Sequence, residues 1–445
     1  MSGFKAIQTP TSEDGELSSV ALAADTFGGA HCVPEATGVR VQRTVRMKER
    51  NSIVLSQAFT SLTNALFGFE IARRSSSKEL GALGIAIALS LVVIGACRAC
   101  CAELLLQRPV DGDEPMARRV AWQIGLIGMV TLGATAVVLG PGVRVGVGLM
   151  ALAMPVMVME DFERFVAFRD GAWRAVVGDA SWLVATVLVF GLLYRSGSRS
   201  TAGVVFAYVI GGLAGWVAMA RGNRRAVMHL GCRGWWAAHP VRARTYGTEF
   251  VLSTLLSGLS LPLLGATAGL AAAGDIRAYL TVLGPAIFVV QAGGLLSARR
   301  IGKLSLRHCV GDWRLWMVSC LCAVSVAALG LALLLTPSNQ GAALLGQSWP
   351  RLADNGRYIF ALSLLTPFAI APLQVTRLYW PRRALVVRSI SAASLLLVIA
   401  SRPIEQPLPN YLLASAVAQT VIAFYTTYTF IQIRKSTSPR SEHFA

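Results

Sequence analysis

The sequence predicts an all-α integral membrane protein with about twelve transmembrane helices in two groups of six. Hydrophobic residues fill 54% of the 445 positions, charged residues fill 14%, and the mean hydropathy is +0.56. This composition is too apolar for a soluble globular protein. Runs of about 18 or more residues with few charges recur along the chain, and each is long enough to cross a bilayer as a helix. The runs are about twice as long as barrel strands, so we expect helices, which satisfy their own backbone hydrogen bonds.

The first segment, residues 1–47, is polar, rich in Ser, Thr, Gly and Ala, and has no long apolar run. We expect a disordered cytoplasmic tail without a secretory signal peptide, because no basic stretch leads into an apolar one. Five basic residues then precede the first span and favour a cytoplasmic location for this end: Arg40, Arg43, Arg46, Lys48 and Arg50.

Twelve spans follow from the apolar runs. We place them at about 52–71, 79–97, 120–140, 143–159, 176–194, 201–220, 247–272, 277–297, 314–336, 356–375, 383–400 and 410–432. An even number puts both tails on one side, and that side collects about 30 of the 41 Lys and Arg residues. The positive-inside rule therefore predicts a cytoplasmic-membrane protein with both termini in the cytoplasm.

The longest basic connection, residues 221–246, divides the spans into an N-terminal lobe, 48–220, and a C-terminal lobe, 247–433, followed by a tail, 434–445. It carries six arginines with Trp235 and Trp236, which suits either a topology determinant or a surface attracted to anionic lipid headgroups. Residues 65–86 and 263–284 are faintly alike, as expected of internal repeats around a midplane cavity.

A charged stretch between residues 157 and 182 separates the fourth and fifth spans. Charges are costly in hydrocarbon, so we interpret the stretch as a turn between two spans. Spacings of three and four residues put Glu160, Asp161 and Arg164 on one helical face, with opposite charges in reach of each other. Two interpretations remain open, a solvated turn that only sets topology and a paired functional element.

Chemistry that makes or breaks bonds is missing from the predicted spans. They contain no carboxylate pair, Ser/His/Asp set, phosphate-binding glycine loop or cluster of metal ligands, so we expect no enzyme activity, cofactor or metal. Cys97, Cys100 and Cys101 lack a second ligand pair at zinc-finger spacing. The net charge of +18 is spread over short connections, which argues against a nucleic-acid partner. Since enzyme activity and nucleic-acid binding are disfavoured, transport is the remaining class of function.

Carboxylates could couple transport to an ion, but those nearest the membrane interior lie near span ends. They are Glu70, Glu103, Asp161, Asp179 and Glu249. A coupled antiporter normally carries a midspan carboxylate, and Glu70 and Glu249 are the remaining relay candidates.

Arginine is the other candidate, because its guanidinium pairs with phosphate through two hydrogen bonds and stays charged in a partly dry cavity. The arginines considered are Arg73, Arg74, Arg98, Arg164, Arg277 and Arg357. The alternative for each is an arginine that only extends to the membrane interface. Gly284 with Pro285, Pro262, Pro367 and Pro372 interrupt later spans and allow bends.

Four stretches, in order, resemble Wzx-type polysaccharide flippases of the multidrug/oligosaccharidyl-lipid/polysaccharide (MOP) exporter superfamily. The first, 55–86, has Asn64, Ala72, Arg73, Glu79, Leu80 and Gly81 at matching positions; the second, 98–108, has Glu103, Leu105 and Arg108. The third, 160–182, has Asp161, Arg164, Asp179 and Trp182, with Glu160 where Gln is typical; the fourth, 274–289, has Gly274, Arg277, Gly284 and Pro285. Spans nine to twelve match no motif of this family.

The resemblance implies two six-helix lobes around a central cavity and a transporter that flips a polyprenyl-diphosphate-linked oligosaccharide for cell-surface polysaccharide biosynthesis. It implies membrane lipids, a polysaccharide polymerase and glycosyltransferases as partners. The candidate substrate-binding residues are Arg73, Arg164, Arg277 and Asn64. The candidate structural or coupling residues are Glu70, Glu103, Asp161, Asp179, Trp182, Glu249, Gly284 and Pro285.

Other classes remain open. A cation-coupled drug or metabolite exporter would need a titrating site in the bundle. A membrane glycosyltransferase or polymerase usually needs a large outer loop with acidic or His chemistry, and the longest outer connection, about 336–355, has one Asp, no Glu and no His. A major-facilitator transporter would carry a motif between spans two and three that residues 107–119 only loosely imitate.

Overall fold

The computed structural model of the protein describes residues 35–107, 113–220, 233–238, 247–248, 250–284, 340–346, 349–355, 381–401 and 407–437, with single positions 362, 365 and 373. These residues form helices joined by short turns, and none of them lies in a strand. The chain divides into two units, Met1–Met47 and Lys48–Ala445. In the first unit residues 35–47 are helical, where the sequence predicts a disordered tail. The tail prediction for 1–34 lies outside the described residues.

Fourteen α-helices account for the described structure, and they are numbered in chain order. The N-terminal ones are α1 (Glu35–Arg74), α2 (Ser77–Cys97), α3 (Glu103–Gln107), α4 (Asp113–Val138), α5 (Pro141–Asp170), α6 (Trp173–Arg195), α7 (Thr201–Met219) and α8 (Arg233–Ala238). The C-terminal ones are α9 (Leu256–Ala268), α10 (270–284), α11 (Gln340–Leu345), α12 (Trp349–Asp354), α13 (Pro381–Ser401) and α14 (Pro407–Thr437). A π-helical turn, Arg98–Ala102, joins α2 to α3, and another, Val251–Leu255, precedes α9.

Six helices of the described part are long and apolar enough to cross a membrane. They cover Ser77–Leu105, Asp113–Val138, Pro141–Asp170, Trp173–Arg195, Thr201–Met219 and Leu408–Thr429. Large apolar side chains on them are exposed, such as Leu152 at 71% and Phe424 at 77%, as expected of surfaces that face lipid. The prediction of an all-α, multi-pass membrane protein is therefore confirmed. Predicted span nine and most of span ten lie outside the described residues.

Helix α1 is missing from these six because its predicted span carries many polar side chains. Its polar face is buried in the bundle, with Ser56 and Thr63 fully enclosed, while Val54 and Leu62 are about half exposed on the other face. A polar stripe turned inward and an apolar stripe turned outward are what a helix needs to contact lipid on one side only. This helix therefore brings hydroxyl and amide groups into the interior.

Helix α5 corrects the predicted turn between the fourth and fifth spans. We expected the span to end near residue 159, but the helix continues to Asp170 and the chain turns at Gly171 and Ala172. The charged residues Glu160, Asp161, Glu163 and Arg164 are buried rather than solvated. Residues of opposite charge on neighbouring helices pair with these side chains. The helix can therefore continue through the charged stretch instead of ending before it.

The junction of α9 and α10 is a second correction. We expected spans at 247–272 and 277–297, but α9 ends at Ala268 and α10 begins at residue 270. Gly269 makes the turn with φ of 90°, a left-handed conformation that side chains other than glycine rarely adopt. Gly274 and Arg277 therefore lie inside α10 rather than at the start of a span.

Helices α2 and α10 cross in direct backbone contact at two glycines. A Cβ on Gly81 would lie 1.8 Å from the Leu270 carbonyl oxygen, and one on Gly274 would lie 2.0 Å from the Ser77 carbonyl oxygen. Close approach of this kind is typical where small residues mediate helix packing in membranes. One turn further along α2, a Cβ on Gly84 would lie 2.9 Å from the Arg277 Cβ. The crossing thus fixes where Arg277 enters the bundle.

The short helix α8 belongs to the predicted basic connection. Its Trp235 is 1% exposed and donates a hydrogen bond from Nε1 to the Cys100 carbonyl oxygen, 3.0 Å away, in the π-helical turn after α2. Trp235 is therefore an interior anchor rather than part of a surface that contacts lipid headgroups. Trp236 is 38% exposed, as expected of an interfacial residue.

Candidate functional site

A cluster of five charged residues, called here the Arg164 cluster, occupies the interior near the end of α5. It consists of Arg98, Glu160, Asp161, Arg164 and Asp179. The guanidinium of Arg164 donates to Glu160 at 2.5 Å, to Asp161 at 3.2 Å and to Asp179 at 3.0 Å. The first two partners lie three and four residues before Arg164, as the helical spacing predicts. Asp179 comes from α6, so the cluster joins the two helices across their turn.

Two further segments complete the cluster, the π-helical turn after α2 and helix α1. Arg98, in the π-helical turn after α2, binds Asp161 through two hydrogen bonds of 2.7 and 2.6 Å, the paired geometry that suits guanidinium and carboxylate. Ser56 of α1 donates its hydroxyl hydrogen to Asp179. Four segments that are distant in sequence therefore meet on three carboxylates.

A second group of ion pairs extends from the cluster toward the end of α5. Arg118 of α4 binds Glu163 at 2.6 Å and Glu114 at 2.9 Å, and Arg169 binds Glu114 and Asp170. Asp170 is 41% exposed and Glu114 is 28% exposed, so water reaches this group. It is the solvated counterpart of the buried Arg164 cluster.

Tyr208 of α7 connects the Arg164 cluster to the middle of the bundle. Its hydroxyl donates to the Asn64 side-chain oxygen at 2.7 Å, and its ring stacks on Phe67 at 3.9 Å. Trp182 donates to the Tyr208 backbone carbonyl at 3.2 Å and lies 5.9 Å from the Arg164 guanidinium carbon. Asn64 and Tyr208 are only half-buried.

Arg277 of α10 is half-buried, and its side chain leaves the backbone over Gly84. Among the described residues, no carboxylate lies within ion-pair distance of its guanidinium. This half-buried arginine of the bundle is thus without a carboxylate partner in the described part of the chain.

The other predicted candidates fall into separate places. Arg73 and Arg74 both pair with Glu70, at 2.6 and 2.8 Å, close to the end of α1. Arg73 lies 17 residues from Ser56, about 25 Å along a helix, so it is remote from the Arg164 cluster. Glu103 is half-buried at the start of α3, and Gly284 is the last described residue of α10. Glu249 and Pro285 lie outside the described residues.

Sequence inspection did not single out Ser56, Phe67 or Tyr208. A lone Tyr in the middle of an otherwise apolar span, and a row of hydroxyl residues in the first span, were the available signals. No group of three or more His, Cys, Asp or Glu residues suited to a metal ion occurs in the part of the chain that the structure describes.

No protein-family model and no curated protein sequence matches the chain. Solved structures do match it over most of its length. An outward-facing multidrug resistance MATE family transporter of the MOP superfamily aligns with a TM-score of 0.62 and 12% identity, covering 88% of this chain and 98% of that one. An inward-facing conformation of such a transporter gives 0.59 and 12%, covering 87% and 100%. A MOP superfamily transporter from Pyrococcus furiosus gives 0.59 and 12%, covering 87% and 97%.

Identity at this level shows fold rather than activity. The matched structures include both inward-facing and outward-facing states, and the alignments run through both predicted lobes. The chain therefore has the fold of the MATE transporters of the MOP superfamily.

Proposed function

We propose that the protein is a membrane transporter that flips a polyprenyl-diphosphate-linked oligosaccharide across the cytoplasmic membrane by alternating access, for cell-surface polysaccharide biosynthesis. The observation that carries this proposal is Arg277. It is half-buried in a helix of the bundle, and no carboxylate among the described residues pairs with it.

A guanidinium in this position requires compensation. Removing a charge from water costs several kcal/mol, and an ion within a bundle is normally paired or marks a substrate path. A diphosphate supplies negative charge and accepts two parallel hydrogen bonds from guanidinium. A cationic drug would instead be repelled by Arg277, and this disfavours the cation-exporter alternative.

A second group of side chains within the bundle suits the sugar part of the same substrate. Asn64 and Tyr208 offer an amide and a hydroxyl group beside the stacked ring of Phe67. Sugars have hydroxyl groups that both donate and accept hydrogen bonds, and their C–H faces pack against aromatic rings. The fold also tolerates different pockets, since the Pyrococcus furiosus transporter is described as having a binding pocket of reverse polarity, with a different function suggested.

The other two predicted substrate arginines are differently engaged. Arg164 is 4% exposed and already donates to three carboxylates, and Arg73 is paired with Glu70. A role for them in substrate binding stays a prediction, but the geometry favours structural pairing. The same proposal places both termini in the cytoplasm. It also includes a polysaccharide polymerase and glycosyltransferases as partners of the protein.

Replacing Arg277 with glutamine is expected to lower polysaccharide export about 10-fold or more while the amount of folded protein stays unchanged. Loss of a charge-assisted hydrogen bond costs about 1.5 to 3 kcal/mol, and 1.4 kcal/mol is a tenfold change. Export is measured as surface polysaccharide, and the block as accumulated lipid-linked intermediate, in cells that depend on the plasmid-borne gene.

The matched control is Arg195→Gln, which removes an exposed arginine at the end of α6. Normal export by Arg277→Gln would contradict the proposed role of this residue. Unchanged surface polysaccharide on deletion of the gene, with new sensitivity to cationic drugs, would favour the drug-exporter alternative.

A further inference from the structure

The last turn of α1 is a meeting point of segments from both predicted lobes. Arg74 donates from Nη1 to the Ser198 backbone carbonyl at 2.9 Å, in the turn between α6 and α7. Gly346, directly after α11, packs on the same turn of α1. A Cβ built on Gly346 would lie 3.1 Å from the Ala72 carbonyl oxygen and 3.2 Å from the Arg73 carbonyl oxygen. A segment of the C-terminal lobe therefore covers the end of the first helix of the N-terminal lobe.

The covering segment, called here the outer cap, consists of residues 340–346 and 349–355. Its two short helices, α11 and α12, pack on each other, since a Cβ on Gly341 would lie 2.3 Å from the Trp349 indole. Leu345 and Leu352 are 2% and 0% exposed and belong to the main cluster of buried apolar residues. The outer cap is thus a folded unit that is anchored in the bundle through its leucines.

The outer cap and the Arg164 cluster lie at opposite ends of α1. Ser56 contacts the Arg164 cluster, and Ala72 lies 16 residues later, about 24 Å along a helix. The outer cap also belongs to the connection between predicted spans nine and ten, which the proposed topology places outside the cell. The end of the bundle at Ala72 is therefore called here the outer end.

Contacts between the lobes continue from the outer cap into the bundle along one face of α1. Gly68 lies four residues before Ala72 and Asn64 four residues before Gly68, so the three share this face. A Cβ on Gly68 would lie 2.6 Å from Thr281 Cγ2 in α10, and Thr281 is 6% exposed. The lobes are thus in contact on the outer side of Asn64, a residue that we propose to bind the sugar.

A different line of contact joins α2 to α9 and to the π-helical turn before α9. A Cβ on Gly265 would lie 2.7 Å from Ile85 Cδ1, and one on Gly95 would lie 2.7 Å from Thr254 Cγ2. Ile85 and Gly95 are ten residues apart, so this line extends about 15 Å along α2. Such a line can serve as an axis for tilting of the lobes, whereas the contacts of α1 with the outer cap lie at one end only.

We infer that the outer cap is a latch, which holds the two lobes together at the outer end and leaves the last turn of α1 before the bundle opens to that side. The inference rests on the alternating access in the proposed function, but it does not depend on the substrate. In alternating access the lobes rock against each other, so contacts at one end break when that end opens. The contact of Gly346 with Ala72 and Arg73 joins backbone to backbone, and it is lost as a unit when the lobes part.

Gly346 makes the latch sensitive to a single methyl group. Its φ is 56°, in the left-handed region that side chains other than glycine rarely adopt. A Cβ there would also lie within 3.3 Å of three backbone atoms of Ala72 and Arg73. Gly346→Ala therefore disfavours the closed latch and leaves the contacts between α2 and α9 unchanged.

A reporter cysteine, Thr281→Cys, measures opening of the latch. The full-length protein in lipid vesicles is treated with a membrane-impermeant maleimide, and peptide mass spectrometry follows the label at position 281. We expect Gly346→Ala to raise the labelling rate at this position about 10-fold. The matched control Gly133→Ala should leave the rate unchanged, because nothing lies within 4 Å of a Cβ built there.

The native cysteines report whether these variants are folded. Cys97 and Cys101 are both 0% exposed, so they should stay unlabelled in every variant. An unchanged labelling rate at position 281 in folded Gly346→Ala protein would overturn the inference.

A reversible disulfide tests the latch even if Gly346→Ala fails to fold. A Cβ on Gly346 would lie 3.3 Å from the Arg73 Cα, so Arg73→Cys with Gly346→Cys should cross-link on oxidation with copper phenanthroline. The cross-link should stop labelling of the Thr281→Cys reporter, and a reductant should restore it. Gly133→Cys with Gly346→Cys is the control pair and should not cross-link.

The outcomes separate the latch from the proposed substrate. Failure of the Arg73 and Gly346 pair to cross-link, or unchanged labelling at position 281 after cross-linking, would overturn the inference. A wild-type protein that moves no glycan lipid would contradict the proposed substrate instead, while the cross-linking and labelling results would still decide whether the latch exists.

Discussion

Replacing Arg164 with alanine is expected to remove about 3 to 5 kcal/mol of stability and most of the folded protein. Three carboxylates share this guanidinium, and removing one partner of a buried ion pair leaves uncompensated charge in the interior. The role of Arg164 as a candidate substrate-binding residue leads to the opposite expectation, that export would be lost while the amount of folded protein stays unchanged. Size-exclusion chromatography and thermal unfolding of the detergent-extracted protein distinguish these two expectations.

Arg195→Ala is the matched control, because that arginine is exposed and no ion pair to it is found among the described residues. Exchanging the charges, with Asp161→Arg and Arg164→Asp together, should not restore folding. The new arginine at position 161 would face Arg98, which now binds Asp161 at 2.6 and 2.7 Å. Normal amounts of stable Arg164→Ala protein would show that the cluster contributes little to the fold.

Replacing Gly81 with alanine is expected to destabilise the protein by at least about 1 to 3 kcal/mol, the usual cost of overpacking. The added methyl group would lie 1.8 Å from a backbone oxygen of α10, and backbone cannot give way as a flexible side chain can. The loss of stability is measured as a decrease in the melting temperature of the purified protein without ligand.

Gly133→Ala in α4 is the control, since nothing lies within 4 Å of a Cβ built there. Alanine has the higher helix propensity, so this variant should be as stable as the wild type or slightly more stable. Equal melting temperatures for the Gly81 and Gly133 variants would mean that α2 and α10 do not approach as closely as described.

Sequence inspection predicted the fold class because long apolar runs and the Lys/Arg bias are local signals. It also predicted that Glu160, Asp161 and Arg164 share a helical face, because that depends only on the spacing within one helix. It placed the end of span four eleven residues too early, at 159 instead of Asp170, because charged side chains are read as solvated unless their partners are known. Those partners, Arg98 and Asp179, come from other helices.

The position of the turn before α10 was missed for a different reason. The stretch around Gly269 is uniformly small and apolar, and several glycines there could have made the turn. Only the structure shows that Gly269 has the positive φ and that Gly274 is needed for contact with Ser77. Arg277 was predicted as a site from the motif, but its separation from every described carboxylate depends on how α10 packs.

Translocation of a polyprenyl-diphosphate-linked oligosaccharide by the purified protein tests the proposed function most directly. A fluorescent substrate is placed in vesicles, and the fraction that a membrane-impermeant reagent can reach is followed over time. We expect the wild-type protein to accelerate exchange between leaflets and Arg277→Gln to slow it about 10-fold or more. A wild-type rate no faster than that of protein-free vesicles would contradict the proposed function.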